Sequence, residues 1–350
     1  MKYDYSKMVD NLLTWYEENK RTLRWRSNPK PYYVWVSEIM LQQTRVEAVK
    51  AYFDRFIEAL PDIGALANAK EDELLKLWEG LGYYNRVRNL QKAAITVMEQ
   101  YEGELPGDYH ELLKLSGIGS YTAGAVASIA FQIPVPAVDG NVLRVTKRIA
   151  GSFDDITKAS VKKEVEQDLQ EIMPTNCPGE FNQALMELGA MVCIPNGKPL
   201  CESCPVNLIC EAYKQDIAMQ IPVKPPKKAR TIEDKTVLLL EYQSKYALHQ
   251  RGAKGLLAGL WELPNVEGKL SIDKIEKLLN ENGIEDYEME LLGEAKHIFS
   301  HIEWHMLGYR IHILQKGHEL GLEDIVWADK EQIQEQYALP TAFQAYRERI

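Results

Sequence analysis

Four of the five cysteines lie in one short stretch: Cys193, Cys201, Cys204 and Cys210, separated by seven, two and five residues. Such crowding is ligand spacing rather than a disulfide framework. Thiolate is a soft donor, and four can saturate one tetrahedral centre, which selects iron–sulfur or zinc over hard cations. Zinc held by four thiolates usually draws on two separated short-gap pairs. Only one such pair exists here, so iron–sulfur is the first reading and structural zinc the second. Cys177 stands alone and is expected as a buried thiol, not a ligand.

A second constellation is rich in glycine. Residues 112–131 read LLKLSGIGSYTAGAVASIAF. One helix should end near Leu115, Ser116-Gly117-Ile118-Gly119 should turn, and a helix of small residues should follow. Gly117 and Gly119 would let the backbone turn tightly and approach another backbone closely. Amides opening the second helix, from Ser120 on, would form a phosphate site without a basic side chain. The other reading is a plain helix–turn–helix packing corner.

A helical scaffold must position these groups. Up to residue 220 the apolar periodicity is helical over 6–19, a long stretch 34–60 stopped by Pro61, then 71–78, 89–101, 109–115, 122–131, 142–149, 160–172 and 181–191. Strand signals are nearly absent there. Residues 221–235, IPVKPPKKARTIEDK, hold three prolines and five basic residues and read as a semi-stiff linker. Beyond it, 236–242, 245–251 and 303–314 are strand-like and 272–282 helical, so this part reads as α+β.

Composition bounds the partners. At roughly 100–200 residues per domain, 350 residues suggest two domains. No apolar run is long enough for a membrane helix. The start, MKYDYSKMVD, lacks the apolar segment of a secretory signal, so a reducing cytoplasm is expected. Lys plus Arg against Asp plus Glu is 24 to 30 up to residue 220 and 17 to 21 beyond it, for a net charge of −10. Neither part is globally basic, so any DNA contact must use a local face and backbone amides.

Taken in order, WVSEIMLQQTRV (35–46), WEGLGYYNRVRNL (78–90), LSGIGSYTAGAV (115–126), AVDGNVLRV (137–145), FNQALMELGAMVC (181–193) and the cysteine loop resemble the helix-hairpin-helix, iron–sulfur DNA glycosylases. The finer likeness is to the MutY family of adenine DNA glycosylases. It is dense over 1–220 and thinner beyond, through GLLAGLWELP (255–264) and FSH (299–301), where it is to a Nudix-like domain. The resemblance implies an all-α helix-hairpin-helix glycosylase domain (1–220) with one 4Fe-4S cluster on the loop 193–210. A linker (221–235) and an α+β, Nudix-like lesion-recognition domain (236–350) would follow. It also implies a monomeric, nucleoid-associated enzyme of base excision repair. Such an enzyme flips adenine opposite 8-oxoguanine, or guanine, out of double-stranded DNA and hydrolyses its N-glycosidic bond.

That reaction leaves positive charge on the sugar and negative charge on the departing base, so it asks for an acid and an anion, a two-carboxylate logic. Glu38 sits among apolar neighbours in VWVSEIML. Burial would raise its pKa and keep it protonated, able to donate to adenine N7; its bland reading is an exposed helix glutamate. Asp139 opens the helix expected from Val142, where amides would hold it ionised. It would stabilise the oxocarbenium ion or bond covalently to C1′, and a simple N-cap is compatible with that role. Asn141 would support water or sugar contacts. In the bifunctional relatives that resemble endonuclease III a lysine stands where this chain has Tyr121. A phenol cannot form a Schiff base, which implies a monofunctional enzyme, with Tyr121 hydrogen-bonded near Asp139.

By the same resemblance Arg26 and Gln183 contact the flipped base. Gln43 and Tyr83, with Leu41, Gln42 and Leu81, fill the stack it leaves. Arg86 and Arg88 meet phosphate, as do Gly117, Gly119 and Ser120 of the hairpin. Phe299, Ser300 and His301 recognise 8-oxoguanine, Phe299 as a wedge and Ser300 accepting from N7–H. Over 276–284 only Glu281 matches the three glutamates of a Nudix hydrolase box, too few hard ligands for magnesium, so this domain should bind rather than hydrolyse. The chain departs from the family in having seven residues, not six, between Cys193 and Cys201.

Overall fold

The computed structural model describes residues 3–226, 229–315 and 325–350; residues 227 and 228 of the expected linker lie outside these. The chain divides into two units. One is Met1–Ala69 with Asn85–Pro226; the other is Lys70–Tyr84 with Lys227–Ile350.

The first unit is helical: α1 (Val9–Asn19), α2 (Arg24–Ser27), α3 (Pro31–Leu41), α4 (Val46–Ala59) and α5 (Ile63–Asn68) open it. Past α6 (Glu71–Leu77), which belongs to the second unit, it resumes with α7 (Asn85–Gln100), α8 (Tyr109–Leu112), α9 (Ser120–Phe131) and α10 (Gly140–Ala150). It closes with α11 (Ala159–Ile172), α12 (Pro178–Met191) and α13 (Glu211–Lys214). Val142, Val145 and Ile149 of α10 meet Phe181, Leu185 and Leu188 of α12 and Leu12 and Tyr16 of α1 in one core. Helix α3 buries Val34, Trp35, Val36, Ser37, Glu38, Ile39 and Met40 in succession. A helix apolar all round is a central one.

The long stretch expected over 34–60 is broken between Leu41 and Val46. Arg86 makes the break: its Nη1 donates to the carbonyls of Ile39, Met40 and Gln42 at 2.9, 3.1 and 2.6 Å. Those are the orphan acceptors at the end of α3. Periodicity cannot register a stop imposed by a side chain 44 to 47 residues further along the chain.

Small residues let α9 lie against other backbones. A Cβ on Gly124 would stand 2.4 Å from the Pro136 carbonyl oxygen, and one on Gly179 of α12 would stand 2.8 Å from that of Ser128. Asn182, fully buried on α12, locks the arrangement. Its Oδ1 accepts from Ala137 N–H at 2.9 Å, and its Nδ2 donates to Ser128 Oγ and the Val135 carbonyl at 2.8 and 2.9 Å. The chain entering Asp139 is therefore held by two hydrogen bonds to one side chain, which a third ties to α9.

The second unit is α+β. Its strands are β1 (Thr231–Tyr242), β2 (Lys245–Gln250), β3 (Trp261–Glu262), β4 (Asn265–Glu267), β5 (Asp286–Ile298), β6 (Ile302–Gln315) and β7 (Ile325–Ala328). The sheet order is β3-β2-β1-β6-β5, with β4 on β1 and β7 on β2. β1 and β6 run parallel from Thr231↔Ile302 to Glu241↔His312. Strand β1 thus begins inside the stretch expected to be linker. β5, which pairs with β6 as an antiparallel hairpin, was not expected; its glutamates dilute the apolar alternation. One face packs Val237, Leu239, Trp304 and Met306 on Phe343; the other packs Leu238, Leu240 and Ile311 on Ile275 and Leu279 of α14 (Ile272–Glu281). Helices α15 (Lys330–Glu335) and α16 (Gln344–Arg347) complete the unit. Among the described residues no helix is long and apolar enough to cross a membrane.

Candidate active site

Glu38 is 5% exposed. Burial pushes its carboxyl up to about 7; a hydrogen bond from Tyr121 and the charge of Arg26 oppose the rise, and nearby Asp139 adds to it. Tyr121 reaches down from the first turn of α9 and donates to Glu38 Oε2 at 2.5 Å, with its oxygen 3.6 Å from Met186 Sδ. The expected partner of Tyr121 was Asp139; the structure gives it Glu38 instead, because α3 and α9 pack side by side. Burial first, then the charges of Glu38 and Asp139, raise the phenol well above its ordinary range, so it stays a donor.

Asp139 is the N-cap of α10. Its Oδ1 accepts from the backbone N–H of Asn141 and of Val142, both at 2.8 Å, and Oδ2 from Asn141 Nδ2 at 2.7 Å. These donors favour the anion. Even so, desolvation outweighs them, together with the charge of Arg144, and the pKa is raised, contrary to the expectation that the amides decide it. Asn141 is itself held: Arg144 Nη1 donates to its Oδ1 at 3.1 Å. Arg144 also donates to the carbonyls of Cys193 and Gly189 at 2.9 and 2.8 Å, which ties the floor of the site to the cysteine loop.

Residues 41–45 line one open pocket with Tyr121, Asp139, Gly140 and Asn141, and no lysine is among them. At its mouth Gln43 is exposed, with a left-handed φ of 59°. Gln42 turns inward, its Nε2 donating to Thr122 Oγ1 at 3.3 Å. Arg26 donates to Glu187 Oε2 at 2.8 Å. Arg21 grips the same carboxylate through Nε and Nη2 at 2.6 and 2.8 Å. Burial alone would raise Glu187, but the two guanidinium groups win and hold it at about 2. Gln183 donates to the Gly179 carbonyl of its own helix at 3.2 Å.

The hairpin turns at Gly117, whose φ is +76° and whose Cβ would lie 2.7 Å from Asn89 Cβ. Gly119 needs no such freedom: it is extended, caps α9, and has nothing within 4 Å of a Cβ, so its backbone is open. Ser120 Oγ donates to Glu166 Oε1 at 3.0 Å and accepts from Lys162 Nζ at 2.9 Å. Arg86, expected at phosphate, spends its Nη1 on α3 as described, and Arg88 is half-buried. In the second unit Tyr83 is 52% exposed while Leu81, expected to help fill the stack, is buried. Phe299, Ser300 and His301 form the β5–β6 tip. Phe299 lies edge-on between His297 and Trp304, at 4.6 and 4.9 Å. Ser300 and His301 are exposed, Oγ to Nδ1 3.0 Å.

Cys193, Cys201, Cys204 and Cys210 line a single pocket walled by Val145, Ile149, Leu188, Val192 and Val206. Arg148 Nη1 stands 3.3 Å from Cys193 Sγ. Burial, then the other three thiols, pushes Cys204 up to about 12. Four sulfurs lining one apolar pocket are a donor set that suits a thiolate-bound metal centre, and the guanidinium would offset part of the thiolates' negative charge. Among the described residues, however, no group of three or more His, Cys, Asp or Glu is drawn to metal-holding distances. Cys177 is only half-buried.

Arg21, Arg144, Asn182, Met186 and Glu187 were not picked out in the sequence. For Arg144, Asn182 and Glu187 the one signal is that charged or amide side chains interrupt otherwise apolar helical faces; Arg21, between α1 and α2, and Met186 carry no such signal.

A family model described as HhH-GPD superfamily base excision DNA repair protein matches residues 36–175, and a NUDIX domain model matches 236–349. The adenine DNA glycosylase of Mus musculus is 36% identical, over 89% of this chain and 71% of its own length. That of Buchnera aphidicola subsp. Schizaphis graminum is 32% identical over 93% of each. Among solved structures, a thermostable thymine-DNA glycosylase superposes with a TM-score of 0.54 at 28% identity, covering 60% of this chain and 96% of that one. A trapped endonuclease III–DNA covalent intermediate gives 0.54 at 27%, covering 62% and 100%.

Proposed function

Because the chain belongs to the adenine DNA glycosylases, with the HhH-GPD and NUDIX domains of base excision repair, we propose that it removes adenine from opposite 8-oxoguanine, or guanine, in duplex DNA, by hydrolysis and without strand cleavage. The observation that carries this reading is the Glu38–Tyr121 pair beside Asp139. An acid poised at about 7 is half protonated at neutral pH, where a general acid works best. Glu38 donates to the departing adenine, and Tyr121 fixes which of its oxygens is free to do so. Asp139, held by three N–H groups, offers negative charge to the sugar as the bond breaks. Asn141, steadied by Arg144, positions water or the sugar. With a phenol and no lysine in the pocket, no Schiff base forms.

Arg26 and Gln183 border the base, Gln43 and Tyr83 fill the vacated stack, and the Gly117–Ser120 turn, open at Gly119, takes phosphate. Phe299, Ser300 and His301 face the oxidised base. Cys193, Cys201, Cys204 and Cys210 would hold one 4Fe-4S cluster, which would order the 193–210 loop; zinc is the alternative. The enzyme acts as a monomer on nucleoid DNA in the cytoplasm.

Single-turnover excision on adenine opposite 8-oxoguanine, with adenine opposite thymine as control, tests the whole. Breaks only after alkali and only with the lesion are expected. Breaks without alkali would overturn the role of Tyr121, and no excision would overturn the choice of substrate. Iron and sulfide analysis decides between cluster and zinc.

A further inference from the structure

Residues 70–84 stand early in the sequence yet belong to the unit formed by 227–350. Two charged side chains hold them there. Lys76 Nζ donates to the carbonyls of Ile333 and Tyr337 at 3.2 and 3.0 Å and pairs with Glu79 at 2.7 Å. Glu79 Oε1 accepts from Leu339 N–H at 3.0 Å and from Arg347 Nη1 at 2.5 Å. The Lys76, Glu79 and Arg347 side chains are 16%, 15% and 25% exposed, so this is no loose surface pair. A shielded carboxylate taking charge-assisted bonds from several directions fixes geometry.

The turn that follows is strained. Gly80, Gly82 and Tyr83 all take left-handed φ, at 96°, 69° and 49°. Trp78 Nε1 donates to the Gly82 carbonyl at 3.2 Å, and Gly80 N–H donates to Tyr84 Oη at 3.4 Å. Trp78, Leu81 and Tyr84 are buried; Tyr83 is thrust outward. A tyrosine keeps such a backbone only where its surroundings impose it.

We propose that Lys76, Glu79 and Arg347 are positioning residues for excision. Through Arg347 and the Leu339 amide, the C-terminal domain sets the turn that presents Tyr83 to the DNA stack. This rests on the reading of Tyr83 given above.

The test is single-turnover excision of adenine opposite 8-oxoguanine by the full chain carrying Tyr83→Ala, Glu79→Gln or both. Each single change should slow excision about tenfold, and the pair should be no slower than Tyr83→Ala, because coupled residues are not additive. Losses that multiply would show Glu79 acting otherwise and overturn the proposal. An unaffected Glu79→Gln beside a slow Tyr83→Ala would overturn it while leaving the wedge intact. An unaffected Tyr83→Ala would overturn the wedge and the proposal together. If thermal melting shows Glu79→Gln unfolded, Arg347→Gln carries the same cycle, since it leaves the Lys76 and Leu339 bonds to Glu79 in place.

Discussion

The phenol of Tyr121 donates to Glu38 across 2.5 Å, joining the start of α9 to the middle of α3. The bond stabilises the Glu38 carboxylate and so holds its pKa lower than burial alone would. Tyr121→Phe should therefore move the alkaline limb of the excision pH profile upward. An unmoved midpoint in single-turnover rates would show that the phenol does not govern the acid.

Glu38→Gln keeps the shape and removes the transferable proton. Excision should fall by roughly 10²–10⁴. Stability should change in the other direction. The folded pKa of about 7 lies above the ordinary carboxyl value of 4.5, so the native state binds the extra proton, and wild-type stability falls as pH rises between the two. Above pH 7 the variant should be the more stable, by up to ~3 kcal/mol at 1.36 kcal/mol per unit; below pH 4.5 the difference should vanish. Denaturation midpoints at pH 4 and pH 8 check this.

Asp139→Asn separates cap from chemistry. Asparagine caps a helix about as well as aspartate, so the melting temperature should barely move. Excision should be lost for want of the anion. A large drop in melting temperature would mean that the charge chiefly serves α10.

Asn182→Ala strands the Ala137 N–H and the Val135 carbonyl in the interior. At about 1–3 kcal/mol for each of the two polar groups left unpaired, a loss of ~2–6 kcal/mol is expected. Because the chain it releases leads into Asp139, excision should weaken at temperatures where the variant is still folded. Urea titration and rate measurements together check it.

Cys204→Ser should lower bound iron and weaken duplex binding while the helical circular dichroism persists. Unchanged binding with iron lost would show that the 193–210 loop does not need the cluster to meet DNA.

Much of this was legible in residue order. Glu38 betrays its burial by its neighbours, and Asp139 its cap by the glycine and asparagine that follow. The strands of β1, β2 and β6 show as apolar runs, whereas β5 hides behind its glutamates. What stayed hidden is long-range. No local pattern reveals that Arg86 ends α3, that Arg144 reaches both Asn141 and Cys193, or that Tyr121 finds Glu38 before Asp139. Such pairings follow from how helices stack, and only the packed structure displays them.

The Glu79–Arg347 contact spans 268 residues, and that distance has a meaning for synthesis. At about 5–20 residues per second, residue 79 leaves the ribosome on the order of 10–50 s before its partner exists. The helical unit can collapse meanwhile, with α6 and the turn after it still awaiting their seat. Birth of the chain thus sets an order of events: Glu38 and Asp139 can be brought together first, and the segment bearing Tyr83 settles last.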